Sequence, residues 1–455
     1  MMTLERRQFV TGSVAFAASM AFAETRLRQA DTDISGEYYD WQQTMKPEKS
    51  WRHDYSQTLV MKIFLCSRDS KGNVDKVYLT FDDALAVIRK LDNLTLGIPK
   101  IVYLVGWQYT GHDSGYPSWS VVNERLKRPQ DRTAEESLKW LIAQARPYHT
   151  TVSLHINMFD AYDNSPLWDI YEQKNIVLKD KNGRPIKGEV FDGMQSYQIS
   201  YAQEWKLGLA QKRIDGLLEM LPELKQAGTI HIDAFYSIQP VRPNDVYSSP
   251  YLGYTIDDEI ETQRKIYRFW RMRGLDVTAE GAIYALRKDP FIGLQPMAWH
   301  FSIEDFESRD WIGKPHKFGG LPPTLYIGTP MHGEQEIRAD PVHLTGLLQQ
   351  FGTQVVPWYF HNNLRSKTEE CGDVSERADV FAPALWLSST IIASSSAGYG
   401  SKTWHLPQAW KGATRVKVMQ ITVDGLRPST TLPARDGEIT LNLSPGAVVA
   451  VEMSL

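Results

Sequence analysis

Only two cysteines, Cys66 and Cys371, occur in 455 residues. That excludes a disulfide framework and a four-thiolate zinc site, and leaves open whether the two pair with each other. Charge of one sign is equally scarce, because 50 basic and 54 acidic side chains give a formal net charge of −4. A balance this close to neutral excludes binding to nucleic acid or to an anionic membrane driven by bulk charge. No run reaches the ~18 consecutive apolar residues that a transmembrane helix needs, so no integral membrane association is expected. A Gly-rich phosphate fingerprint is missing, which disfavours a dinucleotide fold, and neither internal repeats nor low-complexity linkers stand out. What is there is an ordinary globular composition, 42% hydrophobic and 23% charged, with enough chain for a sizeable core. Aromatic residues make up 11% of it. Such flat amphipathic rings suit stacking on sugars as well as core packing.

The first 23 residues read as an export signal rather than structure. Arg6 and Arg7 form a twin-arginine pair, a mildly apolar stretch runs from Val10 to Phe22, and Ala21-Phe22-Ala23 is a small-x-small cleavage site. The expected location is therefore periplasmic or secreted, with residues 24–58 as an N-terminal extension.

From Leu59 the pattern alternates strand and helix. Strand-like runs fall at 59–66, 101–107, 151–156, 229–235 and 276–280, with later candidates at 293–298, 324–327 and 354–360. Helical periodicity marks 81–94, capped by Thr80, then 134–148, 202–221 and 257–273, with further helices near 341–351 and 380–387. Nearly eight such units predict a (β/α)8 TIM-type barrel over residues 59–399. From about residue 400 the period changes to two, at 414–423, 438–443 and 447–453, which predicts a small antiparallel β domain over 400–455.

In such a barrel the chemistry sits where strands end. Asp233 and Glu280 are carboxylates inside or beside apolar runs near consecutive strand ends, where burial costs several kcal/mol unless the group is paired or used. Glycoside hydrolysis needs such a pair across one sugar, whereas a structural carboxylate would be salt-bridged or would cap the next helix. Glu334 is a rival acid in a Gly- and Pro-rich loop. The strand at 101–107 leads into a polar loop with Gln108, His112 and Asp113, and the strand at 151–156 carries His155 and is followed by Asn157. Trp107, Tyr236 and Trp299 are the rings best placed to stack on a sugar, with core packing as the alternative for each.

These segments carry a family resemblance. Gly106-Trp107-Gln108-Tyr109-Thr110-Gly111-His112-Asp113-Ser114-Gly115-Tyr116-Pro117 resembles the strand-end loop of the endo-α-N-acetylgalactosaminidases, glycoside hydrolase family 101. Leu154-His155-Ile156-Asn157 is similar to that family's His-x-Asn strand, His231-Ile232-Asp233-Ala234-Phe235 to its nucleophile strand, and Val277-Thr278-Ala279-Glu280-Gly281 to its acid/base strand. The resemblance covers the catalytic barrel only. It implies a retaining α-glycosidase acting on α-linked N-acetylgalactosamine or a related α-galactosaminide or galactoside, with a glycan or glycoconjugate as partner and no cofactor or metal. Asp233 would be the nucleophile and Glu280 the acid/base; His112, Asp113, His155 and Asn157 would bind sugar.

Two other classes compete. A metal-dependent carbohydrate hydrolase or deacetylase would need His112, His155 and His231 to converge; His231 and Asp233 share one face of their strand, Ile232 the other. A non-catalytic carbohydrate-binding barrel would keep the aromatics and the polar loop but would need no carboxylate pair.

Overall fold

The apolar run at 59–64 becomes the first of six strands in one parallel sheet. The protein's structure, a computed structural model, describes residues 31–32, 38–39, 51–55, 58–233, 235, 247–280, 298–299, 333–356 and 379–454. The six strands are β1 (Leu59–Phe64), β2 (Lys100–Val105), β3 (Thr150–Asn157), β4 (Thr229–Asp233), β5 (Asp276–Glu280) and β6 (Ala298–Trp299). Their order in the sheet is their order in the chain, all parallel, with no reversal. An open doubly wound sheet would reverse at a switch point, so this order is that of a singly wound α/β fold.

Side-chain alternation gives the sheet two unlike faces. Met61, Ile63, Val102, Leu104, Val152, Leu154, Ile156, Ile230, Ile232, Val277 and Ala279 face one way and share a continuous core with the helices. Among these are α1 (Phe81–Leu94), α2 (Ala134–Gln144), α3 (Leu209–Met220) and α4 (Ile256–Met272). Thr80 begins α1 with a capping box closed by Asp83, and Thr255 begins α4 in the same way with Asp258. The opposite face is polar yet buried: Lys62, Tyr103, Ser153, Thr229, His155, His231, Thr278, Asn157 and Asp233 are all under 9% exposed.

Buried polar groups need partners, and those at the N-terminal end of this face have them. The Tyr55 hydroxyl reaches both Thr229 Oγ1 and Asp276 Oδ2 at 3.1 Å. Asp276 also accepts from the Arg52 backbone N–H and from Arg271, each at 2.7 Å. Ser153 donates to the Thr229 carbonyl at 2.6 Å. Residues 51–55 thus seal this end of the sheet, leaving the other end for chemistry.

The C-terminal part holds five antiparallel strands, Asp379–Pro383, Thr390–Ser395, Arg415–Thr422, Gly425–Pro433 and Val448–Met453. A two-stranded sheet, Tyr399–His405 with Glu438–Leu443, accompanies them, and Phe381, Ile391, Trp404, Val418, Ile439 and Val451 form a core of their own. Ile392 and Ala450, on the other face, belong to the main core.

Several sequence expectations change here. The antiparallel sheet begins at Asp379, ahead of the boundary near 400, and the helix expected at 380–387 is instead the strand Asp379–Pro383. Its Val380 and Phe381 prefer the pleated surface, and Pro383 cannot sit inside a helix. Helix 202–221 is two, Tyr201–Lys206 and Leu209–Met220, broken where Gly208 takes φ 72°. Helix 134–148 ends at Gln144, short of Pro147. The strand expected at 354–360 begins inside a π-helical turn, Phe351–Val355. The hairpin Lys187–Phe191 with Met194–Gln198 had no counterpart in the sequence reading. The export segment, the strand at 324–327, Cys371 and Tyr236 lie outside the described residues, as do the side chains of Glu280 and Trp299.

Candidate active site

At the C-terminal end of the sheet the register sets functional groups side by side. His155 on β3 pairs with His231 on β4, and Asn157 with Asp233. His231 in turn pairs with Thr278 and Ile232 with Ala279 on β5, so Glu280 ends β5 one step further on, opposite Trp299 of β6. Neighbouring strands lie ~4.8 Å apart, so residues of one register row start in reach of one another.

Asp233 is 7% exposed, and its Oδ2 lies 3.6 Å from Nε2 of His155, itself 3% exposed. The His155 ring stands between those of His112 and His231, at centroid distances of 5.7 and 5.3 Å. His231 engages Thr278 Oγ1 through Nδ1 at 3.0 Å, and its ring tilts against Tyr103. One ligand atom each of His112, His155 and Asp233 falls within 4.8 Å of the other two.

The loop after β2 delivers His112 and Asp113. Gly106 has φ 76°, and a Cβ there would meet the Cys66 carbonyl at 2.2 Å, so only glycine lets the loop lie against the backbone that follows β1. The His112 N–H then donates to that same carbonyl at 2.9 Å. Arg68, 2% exposed, holds the Asp113 carbonyl through Nε at 2.8 Å and lays its guanidinium over the Tyr162 ring. His112 Nε2 and Asp113 Oδ1 are 3.4 Å apart. Cys66 is a buried free thiol, raised above the usual thiol range by burial.

Three buried acids act on one hydroxyl. Burial, and then the carboxylates of Asp113, Asp233 and Asp160, hold the Tyr116 hydroxyl well above its ordinary range. Burial, Asp113 and Asp160 do the same to Tyr162. Tyr116, Tyr162 and Arg68 were absent from the sequence candidates, and Asp160 had no role assigned. The Asn-x-x-Asp spacing of Asn157 and Asp160 was the available signal, since Asn side chains fold back on nearby backbone.

Two assignments need correction. Asn157, 0% exposed, has no open side to meet a sugar: Oδ1 accepts from the Phe159 and Asp160 N–H groups at 2.6 and 2.8 Å, and Nδ2 donates one of its two N–H groups to Asp160 Oδ2 at 2.8 Å. It builds the turn that aims Asp160. Trp107 offers no open ring face, being 0% exposed in the main core, and its Nε1 holds the His155 carbonyl at 2.9 Å. It anchors β3 instead of stacking on a sugar. Gln108 is buried at the base of the loop, where its backbone bridges to Val122.

Glu334 opens the short helix Glu334–Ala339 against β1, at the opposite edge of the described sheet from β5 and β6. Burial pushes its carboxyl up to about 7, against the opposing pull of Lys62.

Comparison with known proteins bears on this arrangement. Residues 73–265 match a glycoside hydrolase family described as endo-alpha-N-acetylgalactosaminidase. That segment is under half of the chain; it holds the loop after β2, strands β3 and β4 and Asp233, and ends before β5. The family resemblance seen in the sequence is thus met over this segment. Among solved structures, alpha-N-acetylgalactosaminidase NagBb from Bifidobacterium bifidum, in complex with GalNAc, is similar at 13% identity and a TM-score of 0.40, over 57% of this chain and 38% of that one. The chain therefore spans well under half of that relative's length. An alpha-amylase from Anoxybacillus aligns over 89% of this chain and 99% of its own, at 10% identity and a TM-score of 0.48. One from Lactobacillus plantarum aligns over 88% and 100%, at 14% and 0.45. No curated protein matches the sequence.

Proposed function

We propose that this chain is a retaining α-glycosidase that hydrolyses α-linked N-acetylgalactosamine, or a related α-galactosaminide or galactoside, by double displacement. The observation that carries the reading is Asp233. It is a buried carboxylate on the last residue of β4, facing His155, inside the segment that matches the glycosidase family. In this reading Asp233 attacks the anomeric carbon and forms a glycosyl ester. Glu280 gives its proton to the leaving oxygen and then takes one from the water that releases the sugar.

Glu280 follows Ala279, the register partner of Ile232, just as Asp233 follows Ile232 on the adjacent strand. Carboxylates on adjacent strands at one level suit the ~5–5.5 Å separation that retention requires, whereas ~6.5–9.5 Å would give inversion. His155 Nε2 stands 3.6 Å from Asp233 Oδ2, and Asp113 and His112 are the polar groups that would meet sugar hydroxyls. Tyr236 and Trp299 remain the proposed stacking rings.

The same reading closes the parallel sheet into a (β/α)8 barrel, which would account for a polar face that is nonetheless buried. It makes the parallel sheet with its helices the catalytic unit and the antiparallel sheet that begins at Asp379 an accessory β domain, and it needs no cofactor. The Arg6–Arg7 pair supports export, and replacing both by Lys should leave the precursor in the cytoplasm. Among the described residues no helix is long and apolar enough to cross a membrane.

A second reading has one observation in its favour. The clustering of His112, His155 and Asp233 is what a metal-dependent hydrolase or deacetylase would require. The two separate in one experiment: activity on 4-nitrophenyl α-glycosides before and after chelation, with NMR detection of the first-formed anomer. Chelator-resistant release of the α-anomer supports the glycosidase; loss of activity with the metal overturns it.

A further inference from the structure

We infer that the cluster of His112, His155 and Asp233 is a binding site for a divalent transition cation of the zinc class, and that the bound cation switches the glycosidase off. Two imidazoles and one carboxylate form a borderline donor set that suits zinc and leaves its fourth position open. Their ligand atoms already fall within 4.8 Å of one another. His155 Nε2 and Asp233 Oδ2, 3.6 Å apart, are close to the ~3.4 Å that two ligands of a tetrahedral zinc ion span. His112 makes up the rest by a side-chain rotation, for which its 24% side-chain exposure leaves room. Ligation of His112 through Nδ1 keeps Nε2 beside Asp113, the buried carboxylate that orients a ligating imidazole. His231 stands outside the set, its Nδ1 engaged with Thr278.

The inhibitory half of this inference rests on the reading of Asp233 as nucleophile; the binding half does not. A carboxylate whose lone pairs are shared with zinc is a poor nucleophile, and the ion occupies the space of the sugar. Zinc therefore competes with substrate and is no cofactor.

The test uses the full-length protein freed of metal, titrated with zinc chloride by isothermal calorimetry, with initial rates on a 4-nitrophenyl α-N-acetylgalactosaminide. One zinc per chain is expected, with inhibition competitive against substrate and reversed by EDTA. His112→Ala should weaken zinc binding by at least about tenfold, since even the loss of an outer-shell partner costs 10–100-fold. X-ray absorption at the zinc edge on the wild-type chain, which needs no variant to fold, should show two imidazole ligands. No bound zinc, or an edge spectrum without imidazole, overturns the site. Zinc that is required for turnover overturns both its inhibitory role and the double-displacement reading. Zinc bound through two imidazoles to a chain that cleaves no α-glycoside upholds the site and overturns the proposed function.

Discussion

Replacing Asn157 by Ala separates a turn-builder from a sugar ligand. Its side chain makes three buried hydrogen bonds, two accepted from the Phe159 and Asp160 N–H groups and one donated to the Asp160 carboxylate. Phe159 and Asp160 are only 5% and 6% exposed, so water cannot simply take over. Each buried N–H left without an acceptor costs about 1–3 kcal/mol, and losing the bond to the carboxylate adds to that. Asn157→Ala should therefore lose about 2–5 kcal/mol, a large share of the ~5–15 kcal/mol that holds a domain folded. Asn157→Asp keeps the acceptor but sets an oxygen against the Asp160 carboxylate, and should lose about 1–3 kcal/mol. The assay is urea unfolding followed by tryptophan fluorescence and far-ultraviolet circular dichroism. A sugar ligand with a spare amide would instead leave stability within ~0.5 kcal/mol and raise only KM. Unchanged unfolding of Asn157→Ala would refute the turn assignment.

Other expectations follow from single contacts. Gly106→Ala forces a Cβ onto the Cys66 carbonyl at a positive φ and breaks the anchor of His112; a loss of about 2–5 kcal/mol is expected in the same urea assay. Glu334 ionises at about 7 in the folded protein against an ordinary 4.5. Its burial thus supports the fold fully below pH ~4.5 and less as pH rises through ~7. The urea midpoint of the wild type should fall from pH 5 to pH 8 more steeply than that of Glu334→Gln, and parallel profiles would contradict this. Thr80→Ala, which removes the cap of α1, should cost about 1 kcal/mol, read as a shift of the midpoint without a change of slope.

The part of this fold that could be read from the sequence is the part where local pattern and tertiary role agree. The runs at 59–64, 276–280 and 438–443 are strands because their apolar residues have no other way to be buried, and α1 begins where Thr80 and the acids after it require. Misreadings arose where context overrode pattern. Val380–Leu387 carries enough apolar residues for a helix face, yet β-strand neighbours at 390–395 claim its first half. In the site, Asp233 and Glu280 stood out as ionisable residues at strand ends. Tyr116 did not, because what makes it notable is the company of Asp113, Asp233 and Asp160, which only the folded chain assembles. Trp107 looked like a sugar platform because it precedes a polar loop, and a sequence does not tell which side of a rim an indole faces.

The central claim is that Asp233 carries the glycosyl group, and the most direct measurement is to catch it there. Glu280→Gln, incubated with a 2,4-dinitrophenyl α-N-acetylgalactosaminide, should form the glycosyl ester, because that leaving group needs no proton, and should hydrolyse it slowly. Rapid quench, proteolysis and mass spectrometry should then find the sugar mass on the peptide that contains Asp233, and azide should discharge it as the α-glycosyl azide. Asp233→Asn should show neither adduct nor turnover. A sugar found on the peptide of Glu334, or steady turnover with no covalent species at any time, would contradict the account.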